Sequence, residues 1–174
     1  MARTIAVSDD VYELLKKFKL PGESFSGVIR RGLKGRGNPL RLFDTTFVVD
    51  LVNDDPGAVR LAKAVDEESS LAALSVVSVH EYLFGVHFRY LRDKTLSGRL
   101  SSARRDLARF EIIPLTQDVV ELSAGVHAEL ARAGRLIGIN DVYIAATALK
   151  FGMTVVSRNE AHFGRVKSLR TESY

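Results

Sequence analysis

Three acidic residues stand where apolar strands of a predicted sheet end. Asp44 follows the apolar segment Leu40–Phe43, Glu81 lies in the first turn of the helix predicted after the strand Leu71–Val77, and Asp141 opens an apolar helix. Polar groups beyond the carboxyl ends of parallel strands converge on one rim of the sheet. Clustered carboxylates raise one another's pKa values unless a cation neutralises them. With no lysine beside them, these acids predict a bound Mg²⁺ or Mn²⁺.

Each acid also has a purely structural interpretation. Asp141 could favour the N-terminus of a helix, and Asp44 could occupy a turn. Glu81 is harder to explain in that way, because its neighbours from Val76 to Phe84 are mostly apolar and a lone buried glutamate would be costly. Glu81 is therefore the strongest single indication of a functional site.

The positions of these acids follow from an alternation of strands and helices. Strands that alternate with helices of this length indicate an α/β domain with a central parallel sheet flanked by helices. After the strand Leu40–Phe43, the pattern predicts helices at Thr46–Asn53, Pro56–Glu68, Ser78–Arg89, Ser101–Phe110, Gln117–Ala133 and Asp141–Phe151, and strands at Leu71–Val77, Glu111–Pro114 and Thr154–Ser157.

A small separate module precedes this domain. Arg3–Val7 is β-prone, an amphipathic helix follows from Ser8, and a second apolar stripe ends at Leu33, which predicts a strand-helix-helix module at 1–34. The glycines and proline of residues 35–39 predict a linker, so the α/β domain occupies 40–174. A module of about 35 residues is too small to bury an adequate core alone, which favours dimerisation.

Composition excludes several kinds of chemistry. The chain has no cysteine, so disulfides, thiolate zinc sites and cysteine nucleophiles are excluded. No segment approaches the roughly 20 apolar residues of a membrane-spanning helix, which predicts a cytoplasmic protein with no membrane partner. Residues 1–41 hold nine Lys or Arg against four Asp or Glu, whereas residues 42–174 hold sixteen against seventeen. The basic N-terminal module suggests an anionic partner, although a solvated basic face is the more ordinary explanation.

The segments around the three acids resemble the PIN-domain toxins of the VapC type. The likeness lies in FDTTFVVDL around Asp44, SVVSVHEYLFG around Glu81, GINDVYIAATAL around Asp141, and the later segment VVSRNEAHF. The resemblance implies a PIN-like fold and a divalent-metal-dependent endoribonuclease that works as a homodimer or higher even oligomer. It implies that the three acids are the catalytic ligands of Mg²⁺ or Mn²⁺, that RNA is the substrate with tRNA as a candidate, and that a cognate antitoxin is a partner.

Three further residues correspond to positions of the family pattern. Thr45 matches the hydroxyl-bearing position beside the first acid, and Asn159 matches the polar residue of the last motif. His162 stands where many relatives have a fourth acid. Imidazole could still bind a metal or hold a water, but one negative charge is lost. This departure puts a second tightly held metal in doubt more than it does the first, and a single well-filled site could suffice.

The N-terminal module is similar to the small antitoxins of the VapB type, through TIAVSDDVYELLKKF and GESFSGVIRRGL. By analogy with ribbon-helix-helix repressors, two such strands would pair and enter the DNA major groove. Operator DNA is then a candidate partner, with Arg3 and Thr4 as candidate contacts. Alternation turns Ile5 and Val7 toward the dimer core and leaves Thr4 facing the DNA. Because only a short linker follows, we do not expect the module to cover the active site of its own chain.

Two other functions fit the same sequence. One is a DNA-binding autorepressor in which a weakened nuclease domain serves dimerisation and regulation, and the other is a DNA-directed PIN-like nuclease. Metal-dependent cleavage that disappears when Asp44 or Asp141 becomes Asn would argue against the autorepressor. The cationic side chains that could steer an RNA backbone, or simply form a charged helix face, are Arg89, Arg92, Lys94, Arg99, Arg104 and Arg105.

Overall fold

The computed structural model confirms the predicted alternation of strands and helices. It describes residues 8–18, 40–68, 70 and 72–174. The chain divides into two units, Met1–Asn38 and Pro39–Tyr174. The first unit contains helix α1, Asp9–Phe18, where a helix is predicted. The predicted strand Arg3–Val7, the second helix of the module and the linker lie outside the described residues, as do the candidate DNA contacts in that strand.

A parallel sheet forms the centre of the second unit. Within the described residues its strands are β1 Arg41–Phe43, β2 Ala72–Ser75, β3 Glu111–Ile113, β4 Thr154–Val156 and β5 Arg170–Glu172. They lie in the order β3-β2-β1-β4-β5, and each neighbouring pair is parallel. Leu42 of β1 lies opposite Ala73 of β2 and Val155 of β4. All three of these side chains are fully buried, so β1 is the central strand of the core.

Helices cover both faces of this sheet, as a parallel sheet requires. In the described part of the second unit they are α2 Thr45–Val52, α3 Pro56–Glu67, α4 Val76–Tyr90, α5 Leu96–Leu107, α6 Gln117–Arg132, α7 Ile139–Phe151 and α8 Glu160–Phe163. Successive strand residues face opposite layers. Leu42 packs in one core with Ile144 of α7, whereas Phe43 packs in a second core with Phe47 of α2. No helix within the described ranges is long and apolar enough to cross a membrane.

The start of α4 differs from the prediction. The helix begins at Val76, two residues before the predicted start at Ser78, and β2 ends at Ser75. The hydroxyl of Ser75 accepts a hydrogen bond from the backbone N–H of Val77 at 3.2 Å. Serine caps a helix N-terminus in this way, because its side-chain oxygen satisfies a backbone donor that has no partner within the helix. The capping serine is therefore the last residue of the strand.

Three further elements also differ from the prediction. Helix α5 begins at Leu96 instead of Ser101, because Asp93 binds the backbone N–H of Thr95 at 2.7 Å and turns the chain into the helix early. Strand β5 and helix α8 are absent from the prediction. β5 has the sequence RTE and lies at the edge of the sheet, so it lacks the apolar run by which a strand is recognised.

Buried Arg41 explains how this polar edge strand is held. Its Nε lies 2.8 Å from Oε2 of Glu172 in β5, and its Nη1 lies 2.7 Å from Oε2 of Glu68 at the end of α3. The Arg41 side chain is 9% exposed, and a guanidinium so far from water needs carboxylate partners. The ion pair with Glu172 holds the carboxyl end of β5, and Tyr174 follows two residues later.

Candidate active site

The strand order reverses between β1 and β4, and this brings the ends of both strands to one cleft. β2 and β3 lie on one side of β1, whereas β4 and β5 lie on the other. In open α/β sheets, ligands bind beyond the carboxyl ends of the strands at such a switch point. Asp44 follows β1 there, and Ser157 follows β4. The Ser157 hydroxyl donates to Oδ2 of Asp44 at 2.7 Å, so one hydrogen bond joins the two strand ends.

Asp44 is buried at this point, with 4% of its surface exposed. Oδ1 accepts a hydrogen bond from the backbone N–H of Thr45 at 2.6 Å, and Oδ2 accepts one from the Thr46 hydroxyl at 3.1 Å. Burial raises the pKa of Asp44 and the charge of Asp141 raises it further, while the hydrogen bonds act in the opposite direction. Asp44 does cap α2, but capping alone does not require a buried carboxylate beside a second acid.

Glu81 lies in a different environment from the one predicted. Because α4 begins at Val76, Glu81 belongs to its second turn instead of its first. Its side chain is half-buried and meets polar groups, so the argument from a glutamate buried among apolar residues is wrong. Oε2 accepts a hydrogen bond from the Thr45 hydroxyl, and Oε1 accepts one from Nδ2 of Asn140 at 2.8 Å. Thr45 therefore links the first two acids, through its backbone to Asp44 and through its hydroxyl to Glu81.

Asp141 lies in the first turn of α7, and its partner is His162. Nδ1 of His162 is 2.8 Å from Oδ2 of Asp141 and 2.8 Å from Nδ2 of Asn159. A protonated Nδ1 donates to the carboxylate, whereas an unprotonated Nδ1 accepts from the amide. The backbone N–H of Asn159 in turn donates to the Ser157 hydroxyl at 2.9 Å. The last motif thus connects the second aspartate to the first.

A cleft of about 560 Å³ brings the predicted residues together. Asp44, Glu81 and Asp141 all line it, and so do Thr45 and Asn159. His162 does not line the cleft, although it contacts Asp141. The complete set of lining residues is Asp44, Thr45, Thr46, Val49, Asp50, Glu81, Asp141, Arg158 and Asn159.

Several residues that shape the cleft are absent from the sequence-based prediction. Arg158 lines it, with Nη1 at 3.1 Å from Oδ2 of Asp50 and Nη2 at 2.5 Å from Oδ1 of Asp55. Its guanidinium carbon lies 4.8 Å from the ring centroid of Tyr174, and the Tyr174 hydroxyl donates to Asp50 at 2.8 Å. Arg158 lowers the pKa of Asp55 to about 2. The Arg158 guanidinium is thus already paired with Asp50 and Asp55, neither of which is among the three predicted acids.

A signal for some of these residues was present in the sequence. Ser157 and Arg158 belong to the segment VVSRNEAHF, and Asn140 directly precedes Asp141 in GINDVYIAATAL. Each of them is polar and adjoins a strand end or helix start that the pattern had already identified. Asp50 also stands in a quoted segment, FDTTFVVDL, but it lies in the middle of a predicted helix, where an acid usually faces solvent.

Comparisons with known proteins agree with the two-part organisation. A family model described as "PIN domain" matches residues 41–169. A second model, described as "Putative antitoxin", matches residues 1–45. The second match extends beyond the predicted module and its linker, and it overlaps the first match through β1 and Asp44.

The relatives fall into the same two groups. The chain is 26% identical over 133 residues to ribonuclease VapC2 of Haemophilus influenzae. This match covers 76% of this chain and 96% of the relative. It is 25% identical over 133 residues, with the same coverage, to the tRNA(fMet)-specific endonuclease VapC of Shigella flexneri. It is 44% identical over 55 residues to a protein of Saccharolobus islandicus described as "Putative antitoxin", and the match covers 32% of this chain and 73% of the relative.

Solved structures show the same fold. The crystal structure of VapBC2 from Rickettsia felis bound to a DNA fragment from its promoter matches with a TM-score of 0.68 and 24% identity. The match covers 77% of this chain and 98% of that chain. At this level of identity the likeness establishes the fold of the second unit alone. The DNA fragment is a partner of the Rickettsia complex.

Replacing Asp44 by Asn should stabilise the metal-free protein at neutral pH. Asparagine keeps a side-chain oxygen for the helix cap but has no charge to bury. Because burial raises the pKa of Asp44 in the folded state, the ionised carboxylate destabilises the fold above that raised pKa. The gain should shrink as the pH falls through the raised pKa toward the unfolded-state value of about 3.9. Urea unfolding in EDTA across a pH series measures it.

The matched control is Asp66→Asn, because the Asp66 side chain is 73% exposed and does not line the cleft. This control should give no comparable gain at neutral pH. If Asp44→Asn is instead less stable than the wild type at neutral pH, the hydrogen bonds to the carboxylate outweigh the cost of its burial.

Proposed function

The chain belongs to the PIN domain family, and on that premise we propose that it is the ribonuclease toxin of a type II toxin-antitoxin system. The activity is divalent-metal-dependent endonucleolytic hydrolysis of RNA phosphodiester bonds. The observation that carries the proposal is the buried carboxylate of Asp44 at the switch point, beside Asp141 and in one cleft with Glu81. A buried acid next to a second acid is costly unless a cation neutralises it.

The residues present fit a partly hydrated hard cation. Within the described ranges, no three His, Asp or Glu side chains are grouped closely enough to hold one metal together. Mg²⁺ usually keeps several waters and is bound through one or two carboxylates. Asp44 and Asp141 are the pair whose charges act on each other, so they would hold the cation directly. Glu81 would then be reached through a water, and Mn²⁺ would occupy the same oxygen ligands.

When bound, such a cation acidifies a water and neutralises charge that develops on the phosphate. The protein fixes the carboxylates that hold it. Both oxygens of Asp44 and both oxygens of Glu81 accept hydrogen bonds from the chain, so neither side chain must reorganise during the reaction. Each oxygen of Glu81 retains a second lone pair that can accept a proton from water. Hydrolysis would form a bond from the water oxygen to phosphorus as Glu81 accepts the proton of the water, and would break the bond to the leaving oxygen. The leaving oxygen would take up a proton from solvent, and Glu81 would return its proton to solvent.

The presence of His162 in place of a fourth acid favours one metal site over two. His162 contacts Asp141 in the position where the resemblance leads one to expect a fourth acid. A fourth carboxylate would add a negative charge at this end of the cleft, and an imidazole does not. Two divalent cations need more anionic ligands than one, so Asp44, Glu81 and Asp141 would serve one site. Thr45 holds Glu81 by a hydrogen bond, and Asn159 contacts His162, the partner of Asp141.

The substrate class rests on the relatives. One relative is described as a tRNA(fMet)-specific endonuclease and another as a ribonuclease, and both match this chain over most of their length. We therefore assign RNA as the substrate, with tRNA as the first substrate to test. A cognate antitoxin is the expected protein partner, and a homodimer or higher even oligomer the expected assembly.

The N-terminal unit suggests a second activity, binding to operator DNA. The antitoxin model matches residues 1–45, and the Rickettsia complex was solved with promoter DNA. Arg3 and Thr4 remain the proposed contacts. A chain that binds DNA and does not cut RNA would be the autorepressor considered in the sequence analysis.

Asp141→Asn should abolish RNA cleavage. The substitution removes a ligand of the proposed cation, and loss of several kcal/mol of charge stabilisation corresponds to a rate lower by about a thousandfold. The measurement is cleavage of end-labelled total tRNA by the purified full chain with Mn²⁺, with Mg²⁺ and with EDTA. The wild type should cut only with a metal, and Asp66→Asn should cut like the wild type.

Two results would contradict this proposal. Equal cleavage by the wild type and Asp141→Asn would place the reaction elsewhere or in a contaminant. No cleavage of any RNA by the wild type, together with tight binding to duplex DNA, would favour the autorepressor.

Thr4→Ala and Arg3→Ala should weaken binding to the duplex DNA that lies immediately upstream of the gene for this protein. Loss of one base or phosphate contact corresponds to about a tenfold increase in Kd. Fluorescence anisotropy with the labelled duplex measures it. Lys16→Ala is the control, because Lys16 is an exposed cation of α1 that pairs with Glu13 at 3.5 Å. Equal weakening by Arg3→Ala and Lys16→Ala, with no effect of Thr4→Ala, would show that binding depends on general charge and not on the predicted strand.

A further inference from the structure

A second cavity of about 340 Å³ adjoins the carboxylate cleft. Both spaces are lined by Thr45, Val49 and Glu81. The cavity and the cleft therefore meet at Glu81. From there the second cavity extends between α2, α4 and α5 and reaches Arg89, Tyr90 and Arg99. Its volume lies within the range of about 300–1,000 Å³ that is usual for ligand sites. We call it the arginine cavity.

The arginine cavity is lined by two arginines that take part in no ion pair of the described residues. Arg89 and Arg99 are exposed, and neither forms an ion pair with any residue that the structure describes. Their guanidinium carbons lie 5.7 Å and 4.9 Å from the ring centroid of Tyr90. Guanidinium and aromatic planes are the surfaces on which unpaired nucleobases stack. Of the six cations considered in the sequence analysis, these two alone line the cavity.

Electrostatics require such groups near the cleft. The cleft is lined by Asp44, Asp50, Glu81 and Asp141, while an RNA substrate is a polyanion, so the chain must supply attraction next to the acids. Arg158 lines the cleft too, but Asp50 and Asp55 already neutralise it. Arg89 and Arg99 form no ion pair with a residue that the structure describes, although the charge of Arg99 helps to lower the pKa of Asp93. Both lie in the adjoining space, where the phosphates that flank the scissile bond would pass.

The remaining lining can contact a base edge. Asn53 offers an amide and Ser102 a hydroxyl. The Tyr82 hydroxyl donates to Oδ2 of Asp106 at 3.0 Å, which leaves the second carboxylate oxygen of Asp106 as an acceptor. Amide, hydroxyl and carboxylate groups together can pair with both donors and acceptors of a nucleobase.

We propose that the arginine cavity is an RNA subsite that binds the nucleotide flanking the scissile phosphate, with Arg89 and Arg99 on its phosphates and the Arg99–Tyr90 pair under its base. The inference rests on the proposed ribonuclease function, and it specifies the path of the RNA strand next to the cleft. It makes Arg89, Tyr90 and Arg99 positioning residues, since they hold the strand and do not touch the reacting atoms.

The test compares two double variants that lose the same charge. Arg89→Ala/Arg99→Ala removes the cations of the cavity, whereas Arg92→Ala/Arg104→Ala removes two exposed neighbours that do not line it. Both are made in the full chain carrying Asp141→Asn, so that Mg²⁺ can be present without cleavage. The readout is the Kd of a short labelled single-stranded oligoribonucleotide, by fluorescence anisotropy over a series of KCl concentrations.

The cavity variant should raise Kd about tenfold at low salt and reduce the slope of log Kd against log salt by about 1.4, because each phosphate contact on a single strand contributes about 0.7. The control variant should change both values by much less. Tyr90→Leu should raise Kd about fivefold through lost stacking, while Tyr90→Phe, which keeps the ring, should bind like the parent.

Equal losses in the two double variants would overturn the proposal, because binding would then follow general charge. Unchanged RNA affinity in the cavity variant would also overturn the proposal. A protein segment would then be the remaining candidate to bind in the cavity. Cleavage by the otherwise unmutated chain is measured in parallel. If that chain cleaves RNA while the cavity variant binds normally, the subsite is rejected and the ribonuclease stands. If it never cleaves but binding depends on the cavity, the ribonuclease is rejected together with the cavity's role beside a scissile phosphate, and only RNA binding by the cavity stands.

Discussion

The burial of the Asp44 carboxylate, at the point where β1 and β4 part, is the constraint on which the rest of the site depends. A carboxylate with 4% exposure loses most of its hydration, and the chain replaces that hydration with one backbone N–H and two hydroxyls. Those donors come from the start of α2 and the end of β4, so the acid can be held only if the central strands are correctly paired. The hydrogen bonds reduce the cost of burial, yet burial still raises its pKa.

The fold supplies this geometry through strands of only three or four residues. Alternation along β1 sends Leu42 into one core and Phe43 into the other, so the next residue leaves the sheet at its carboxyl edge. The helices α4 and α7 then bring Glu81 and Asp141 to the same edge. Because both cores pack against β1, a shift of its register by one residue would exchange the two faces and move Asp44 away from Ser157. Packing and site geometry are therefore set by the same strand.

The sequence predicts the acids better than it predicts their environment. Asp44 could be found because it follows an apolar strand, and Asp141 because it lies in the first turn of an apolar helix. Glu81 could be found because its helix follows an apolar strand, although it lies one turn later in that helix than predicted. The half-buried state of Glu81 could not, since it depends on a helix start moved by Ser75 and on contacts with Thr45 and Asn140. Pairs such as Arg158–Asp55 and Arg41–Glu172 join residues 103 and 131 positions apart, and no local pattern encodes them. β5 is predicted by nothing in its own sequence, because its pairing depends on Arg41.

The central claim is that the carboxylates at the switch point bind a divalent cation, and Mn²⁺ titration of the full chain followed by electron paramagnetic resonance tests it most directly. We expect saturable binding of one Mn²⁺ per chain in the wild type and in Glu129→Gln, whose exposed acid lies outside the cleft. Binding should be weakened by about a hundredfold or more in Asp44→Asn and in Asp141→Asn, because each would lose one of two direct ligands. Equal Mn²⁺ binding by all four proteins would show that these carboxylates do not hold the cation.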